Sequence, residues 1–489
     1  MENPKLRRLG EEWLEEVTIR QIQEKFASEE LTSQELVLLY LYRIASIDPK
    51  INSVLEVNPD ALQIAAALDA ERRRTGPRSS LHGVPILIKD NIDTHDKMHT
   101  SAGSLALKKS IAPRDSFVAE QLRKAGAVIL GKTNMTEWAN FIAIGMKNGY
   151  SSRGGQVLNP YGPDKFDVGG SSSGSGAAIA ANLAVAAVGT ETSGSILNPS
   201  CQNSLVGIKP TVGLISRRGV IPIAHTHDTA GPMARTVEDA VILLTALCGV
   251  DEEDPITLTN PLADRDFTTH LKKDGLAGKR IGIALDGFIQ FLNKEKQEVV
   301  LRAIEVLKNS GSVVMEEIEI PSAKEDWKYD VLTYEFKADL NSYLSQLPPT
   351  VPIRSLADLI EFNLQDEEKM LKYGQSVLLE SEATSGSLRE KEYIEALEFE
   401  RYHATKQGID YALEKNQLDV IVFPGEEGSH ISAKAGYPSI AVPIGYTSLG
   451  EPVGITFAGT AYSEPVLIEV AYAFEQLTKS RKPPIFEKE

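Results

Sequence analysis

The stretch from Val168 to Pro199, VGGSSSGSGAAIAANLAVAAVGTETSGSILNP, constrains this chain more than any other. It carries two glycine–serine loops, Gly169 to Gly176 and Thr192 to Ser195, with an alanine-rich helix and a short apolar strand between them. A flexible linker does not belong between such elements. A glycine-rich loop that opens a helix instead gathers free backbone N–H groups, and that arrangement receives negative charge. Phosphate is one such charge, but no Lys follows the glycines as a P-loop requires, and G-x-G-x-x-G spacing fails at Ile179. The other is a developing oxyanion, with serine as the attacking group.

A serine nucleophile needs a base. His225 and His227, with Asp228, lie downstream in PIAHTHDTAGPM, while neither a G-x-S-x-G elbow nor an S-x-x-K motif occurs. Lys89 is the alternative. It ends the apolar run Val84 to Ile88, where desolvation favours the neutral amine. Bringing a Lys from about 10.4 to near neutrality takes roughly 3 units, or about 4 kcal/mol. Asp90 would oppose that shift, but neighbours on a strand point to opposite faces. An ion pair of Lys89 with Asp90 or Asp93 is the competing structural assignment, and pattern alone leaves the choice open.

The rest of the chain alternates helices and strands. Residues 11–47 carry helical spacing, with Thr32-Ser33-Gln34-Glu35 as a capped start and Asp48-Pro49 as a stop; Asn58 to Arg74 is a second helix. Val84 to Ile88 and Ala127 to Gly131 are apolar strands around a helix at Phe117 to Lys124, and a similar unit follows at Arg280 to Ile320. Glu325 to Lys415 is charged and helical. Val420 to Pro424 and Ser439 to Pro443 are strands, and Pro465 to Thr478 is a final helix. No repeat or low-complexity linker divides the chain. We expect one domain: an N-terminal helical segment (1–77), an α/β core (78–320), a largely helical insertion (321–417) and C-terminal strands and helix completing the core (418–489).

Among 489 residues, 68 Asp and Glu outnumber 51 Lys and Arg, a net charge of −17. That excludes a global pull toward nucleic acid or anionic membranes. Cys201 and Cys248, the two cysteines, rule out a disulfide framework and a Cys-rich zinc site. No signal-peptide core or membrane-length apolar run is present. The expectation is a cytoplasmic protein with no nucleic-acid or membrane partner.

Several runs resemble, in order, the amidase signature family of Ser–Ser–Lys amide hydrolases. They are GVPILIKDNID (Gly83 to Asp93), GKTNMTEWANF (Gly131 to Phe141), GGSSSGSGAA (Gly169 to Ala178), GTETSGSI (Gly189 to Ile196), VGIKPTVG (Val206 to Gly213), DTAGPMAR (Asp228 to Arg235) and AGYPSIAVPIG (Ala435 to Gly445). The resemblance implies a large mixed β-sheet core covered by helices on both faces. It implies Ser195 as nucleophile, Ser171 as bridging serine after a cis bond from Gly170, and Lys89 as base. The backbone N–H groups of Thr192, Ser193, Gly194 and Ser195 would form the oxyanion hole. Met98, Thr100, Trp138 and Phe141 become candidate substrate contacts. The implied chemistry is amide hydrolysis through an acyl-enzyme, without metal or cofactor, by a monomer or homodimer acting on a small-molecule or peptide amide.

This chain departs from the family's frequent D-T-G-G-S-I-R loop: Ser193 replaces the first Gly and Leu197 the Arg. Loss of the Arg points to neutral or apolar acyl groups. The runs SSRGGQVLNPY and VGLISRRGVIPIAHTHDTAGPM are more similar to peptide amidases, which cleave C-terminal carboxamides. Two rival readings stand beside this one: the glutaminase component of a tRNA-linked amidotransferase, and a non-catalytic binding protein that retains the fold. His225 and His227 are expected as loop or core residues, Asp228 as a turn holder, and Glu426-Glu427 as a solvated loop.

Overall fold

The structure is a computed structural model, and it describes residues 2–486. Thirteen strands form in chain order: β1 (Val54–Val57), β2 (Pro85–Lys89), β3 (Val128–Thr133), β4 (Tyr150–Ser151), β5 (Gly155–Gln156), β6 (Ala186–Glu191), β7 (Val206–Lys209), β8 (Thr229–Ala234), β9 (Arg280–Ile283), β10 (Val313–Met315), β11 (Val420–Pro424), β12 (Ser439–Tyr446) and β13 (Pro452–Ala458). β4 and β5 pair by themselves. The other eleven make one sheet in the order β1-β3-β2-β6-β8-β7-β12-β13-β11-β9-β10. β2 runs parallel to β3 and β6, and β9 parallel to β10 and β11, while the centre from β6 to β11 is antiparallel. The sheet is therefore mixed.

Every residue of β2, β3, β6, β7 and β8 is buried. Strands buried along their whole length require cover on both faces of the sheet, and helices provide it. The helices Val237–Leu247 and Glu464–Thr478 pack on each other and on the central strands, as do Ser173–Ala180 and Leu197–Gln202. The α/β class and covered mixed sheet agree with the expectation.

Local chemistry sets many of the element ends. Thr32 and Glu35 form a reciprocal capping box that starts the helix Ser33–Ile47. The helical stretch expected over 11–47 forms as parts of three helices, Pro4–Glu12, Ile19–Ala27 and Ser33–Ile47, the last starting at the expected cap. Thr18 and Gln21 build a second capping box that restarts the chain. β1 also interrupts the N-terminal helical segment and pairs antiparallel with β3 at the sheet's edge.

Between β10 and β11 the chain is helical from Asp330 to Asn416, with short breaks. Val331, Phe336, Leu340 and Leu356 of this segment join Met135, Trp138, Phe141 and Ile223 in a second apolar cluster. The helical segment thus seals the core beside β3 and β8. Among the described residues no helix is long and apolar enough to cross a membrane.

Candidate active site

β2 delivers Lys89 at its last position, and the side chain is fully buried. Its Nζ lies 2.8 Å from Ser171 Oγ, 2.9 Å from Thr190 Oγ1 and 3.2 Å from the Thr190 carbonyl. No carboxylate pairs with it among the described residues. Asp90 turns away, accepting from Ser101 Oγ and, at 2.9 Å, from the Gly103 N–H. The ion-pair assignment is therefore absent, and strand alternation separates the two neighbours. Burial lowers the Lys89 pKa to about 7, against the weaker opposing pull of the Glu191 and Asp228 charges.

Ser171 follows a cis peptide bond from Gly170 and is fully buried. The helix Ser173–Ala180 begins two residues later. Glycine is needed at its first turn: a Cβ on Gly174 would come within 2.2 Å of the Asn134 carbonyl and 2.4 Å of the Ser53 carbonyl. β6 then carries the chain back to the second loop. The Ser172 N–H donates to the Ser195 carbonyl at 3.2 Å, so the two serine loops touch. Ser172 Oγ also donates to the Thr190 carbonyl at 3.1 Å.

The Thr192 to Ser195 loop turns at Gly194, whose φ of +83° suits glycine. Ser195 is buried, at 8% exposure, and Ser193 is the more open residue. The N–H groups of Ser193 and Ser195 find no partner among the described residues. They remain available to an incoming oxygen. Two carboxylates brace this loop. Glu191 Oε2 accepts the N–H groups of Ile196 and Leu197 at 2.7 and 3.0 Å. Asp228 Oδ1 accepts from Thr192 Oγ1 at 2.5 Å, and its Oδ2 accepts the N–H groups of Ile223 and Ala224. Burial pushes the Asp228 carboxyl up to about 7.

Met98 and Thr100 are fully buried; Met98 is in the main core and Thr100 Oγ1 accepts from Lys132 Nζ at 2.9 Å. Trp138 and Phe141 are buried in the second apolar cluster, with Phe141 edge-on to Phe336 at 5.0 Å. Leu197, at the position of the family's Arg, is buried against Cys201 and Ala441. His225 holds Asp339 at 2.9 Å, and His227 Nε2 lies 3.3 Å from Glu400. Neither is hydrogen-bonded to Ser171 or Ser195 among the described residues. His225, Glu335 and Asp339 bring ligand atoms within 4.8 Å of one another, but Thr226 and Tyr393 already donate to Glu335. Glu426 is partly buried and accepts from Asn198 Nδ2, so it is not freely solvated.

A cavity of about 340 Å³ opens beside Asp228, walled by Asp93, Arg217, His225, Asp339 and Tyr343 among others. Its lining carries both signs of charge.

The residues missed by sequence reasoning are Thr190, Asn91 and Asn198. Thr190 takes two contacts from Lys89, and Asn91 Nδ2 donates to Thr190 Oγ1 at 3.0 Å. Thr190 sits inside the GTETSGSI run, but only the pairing of β2 with β6 brings it to Lys89.

The family model described as Amidase matches residues 35–429. The chain belongs to the amidase family. It is 43% identical to a probable amidase of Arabidopsis thaliana, over 97% of this chain and 92% of that one. The solved peptide amidase of Stenotrophomonas maltophilia superposes with a TM-score of 0.92 at 46% identity, covering 97% of this chain and all of that one (100%). One component of the glutamyl-tRNA(Gln) amidotransferase of Pseudomonas aeruginosa is 39% identical, over 63% of this chain and 62% of that one. This amidase-family chain is a hydrolase acting on amide bonds.

Proposed function

We propose that this amidase forms an acyl-enzyme on Ser195, with Lys89 as base and Ser171 as the proton bridge. The observation that carries the reading is the set of partners around Lys89. The Thr190 carbonyl can only accept, and Thr190 Oγ1 already accepts from Asn91. A neutral Lys89 amine donates one N–H to that carbonyl and can place the other on Thr190 Oγ1, which keeps a second lone pair. Its lone pair is left for Ser171, 2.8 Å away. A pKa of about 7 makes that neutral amine abundant near neutral pH.

The steps follow from this arrangement. Lys89 takes the Ser171 proton as Ser171 takes the Ser195 proton, and Ser195 Oγ attacks the amide carbonyl. The oxyanion is received by the free N–H groups of Ser193 and Ser195. The relay returns the proton to the leaving nitrogen as the C–N bond breaks. Water then attacks the ester along the same path, releasing the carboxylate and restoring Ser195.

For the substrate, we favour a peptide C-terminal amide. The resemblance to the peptide amidase over the full chain supports it. The test is ammonia release by the purified chain from peptide C-terminal amides, simple aliphatic and aromatic amides, and glutamine, with Ser195→Ala as control. Release from peptide amides that vanishes in Ser195→Ala is expected. Release from glutamine alone would favour the amidotransferase-type reading instead, and silence on every substrate would overturn both.

A further inference from the structure

We propose that Asn198 is a positioning residue that holds the Ser171 and Ser195 loops in mutual register, with the Glu426 carboxyl locking its amide. The inference rests on the roles proposed for the two serines. Asn198 lies three residues beyond Ser195, in the helix Leu197–Gln202. Its backbone N–H donates to the Gly194 carbonyl at 2.7 Å, which fixes it to the nucleophile loop. Its Oδ1 accepts the N–H of Gly170 at 2.8 Å, immediately before Ser171. Its Nδ2 donates to Glu426 Oε1, in the turn between β11 and the helix Ser429–Ala435.

The amide orientation is set by its neighbours. The Gly170 N–H can only donate, so Asn198 must present its oxygen there and its nitrogen to Glu426. The rotated amide would set two donors against each other. Glu426 keeps an accepting oxygen whether or not it is protonated.

Asn198 supplies one tie and the Ser172 N–H, bonded to the Ser195 carbonyl at 3.2 Å, supplies the other. The two ties bracket Ser171 in sequence. The fit is close: a Cβ on Gly169 would stand 2.8 Å from Asn198 Oδ1 and 2.6 Å from Pro199 Cα. Freeing Gly170 loosens the peptide that aims Ser171, while the Ser195 loop keeps its own braces from Glu191 and Asp228. The loss then falls on the proton relay rather than on substrate binding.

The experiment compares kcat, KM and thermal unfolding of the full chain with Asn198→Ala, Asn198→Asp, Glu426→Gln, Glu426→Ala and Ser195→Ala. A misplacement of the relay by about 1 Å predicts a fall in kcat of about 10²-fold for Asn198→Ala, with KM near wild type. Asn198→Asp keeps the acceptor for Gly170 but sets a second carboxyl against Glu426, and is expected to lose as much. Glu426→Gln keeps the accepting oxygen and retains activity, whereas Glu426→Ala does not. Wild-type kcat in Asn198→Ala, or equal damage from Glu426→Gln and Glu426→Ala, overturns the inference alone. If Asn198→Ala fails to fold, the two Glu426 variants decide. Unchanged turnover in Ser195→Ala would overturn the acyl-enzyme reading and this inference with it.

Discussion

Lys89 Nζ and Ser171 Oγ stand 2.8 Å apart in a site that both residues enter fully buried. One arrives from a parallel strand and the other from the loop that opens a helix, 82 residues later in the chain. Their meeting is the contact on which the proposed proton relay rests.

Turnover should depend on pH in a definite direction. In the proposed relay Lys89 acts only as the neutral amine, and its pKa is lowered to about 7. The rate should therefore rise with pH through about 7 and level off above it. Lys89→Ala should lose about 10²- to 10⁴-fold, as measured by kcat/KM from pH 5 to 9.

Asp228 tunes that profile. Its negative charge raises the Lys89 pKa against the larger effect of burial. Burial pushes the Asp228 carboxyl itself up to about 7, so that charge is present mainly on the alkaline side of the limb; Asp228→Asn removes it there, and the limb should move slightly to lower pH. An acid limb moved to higher pH in Asp228→Asn would contradict this electrostatic account.

Lys89 also bears on stability, with a definite sign. Its folded pKa lies below the unfolded one, so between about 7 and 10.4 the unfolded chain binds more protons. The lysine then weakens the fold most below pH 7, and the deficit vanishes as pH rises past the unfolded value. Lys89→Met should be inactive yet more resistant to denaturant at pH 6 than wild type. The difference should shrink by pH 10 in paired denaturant titrations.

The fold and the site are legible in the sequence wherever the signal is local. The strand at Val420–Pro424 and the helix at Phe117–Lys124 form as expected because apolar runs and caps are short-range. β8 carries no such signal. Its sequence TAGPMA has Gly and Pro at the centre, and only pairing with β6 and β7 holds it extended. The same holds for the site. Ser171, Ser195 and Lys89 stand out through ordered motifs, whereas Thr190 depends on the register between β2 and β6. Asn198 depends on two loops and a turn from the far end of the chain. Such contacts leave no pattern in one sequence.

Gly194 offers a test of the oxyanion loop. At φ +83°, an Ala would be strained by about 1–2 kcal/mol, and its Cβ would stand 3.2 Å from Ser429 Oγ. Gly194→Ala should cut kcat sharply with only a small drop in stability. As a control, Thr32→Ala breaks a capping box far in sequence from the serines. It should cost about 1 kcal/mol of stability and leave kcat unchanged, measured by denaturant unfolding beside the amidase assay.

The proposed acyl-enzyme on Ser195 is open to direct observation. Its most direct test is intact mass spectrometry of the enzyme after brief exposure to a slowly turned-over activated ester, followed by peptide mapping. One acyl group is expected on Ser195, absent from Ser195→Ala and formed much more slowly in Lys89→Ala. An adduct on Ser171, or undiminished acylation in Ser195→Ala, would contradict the proposal.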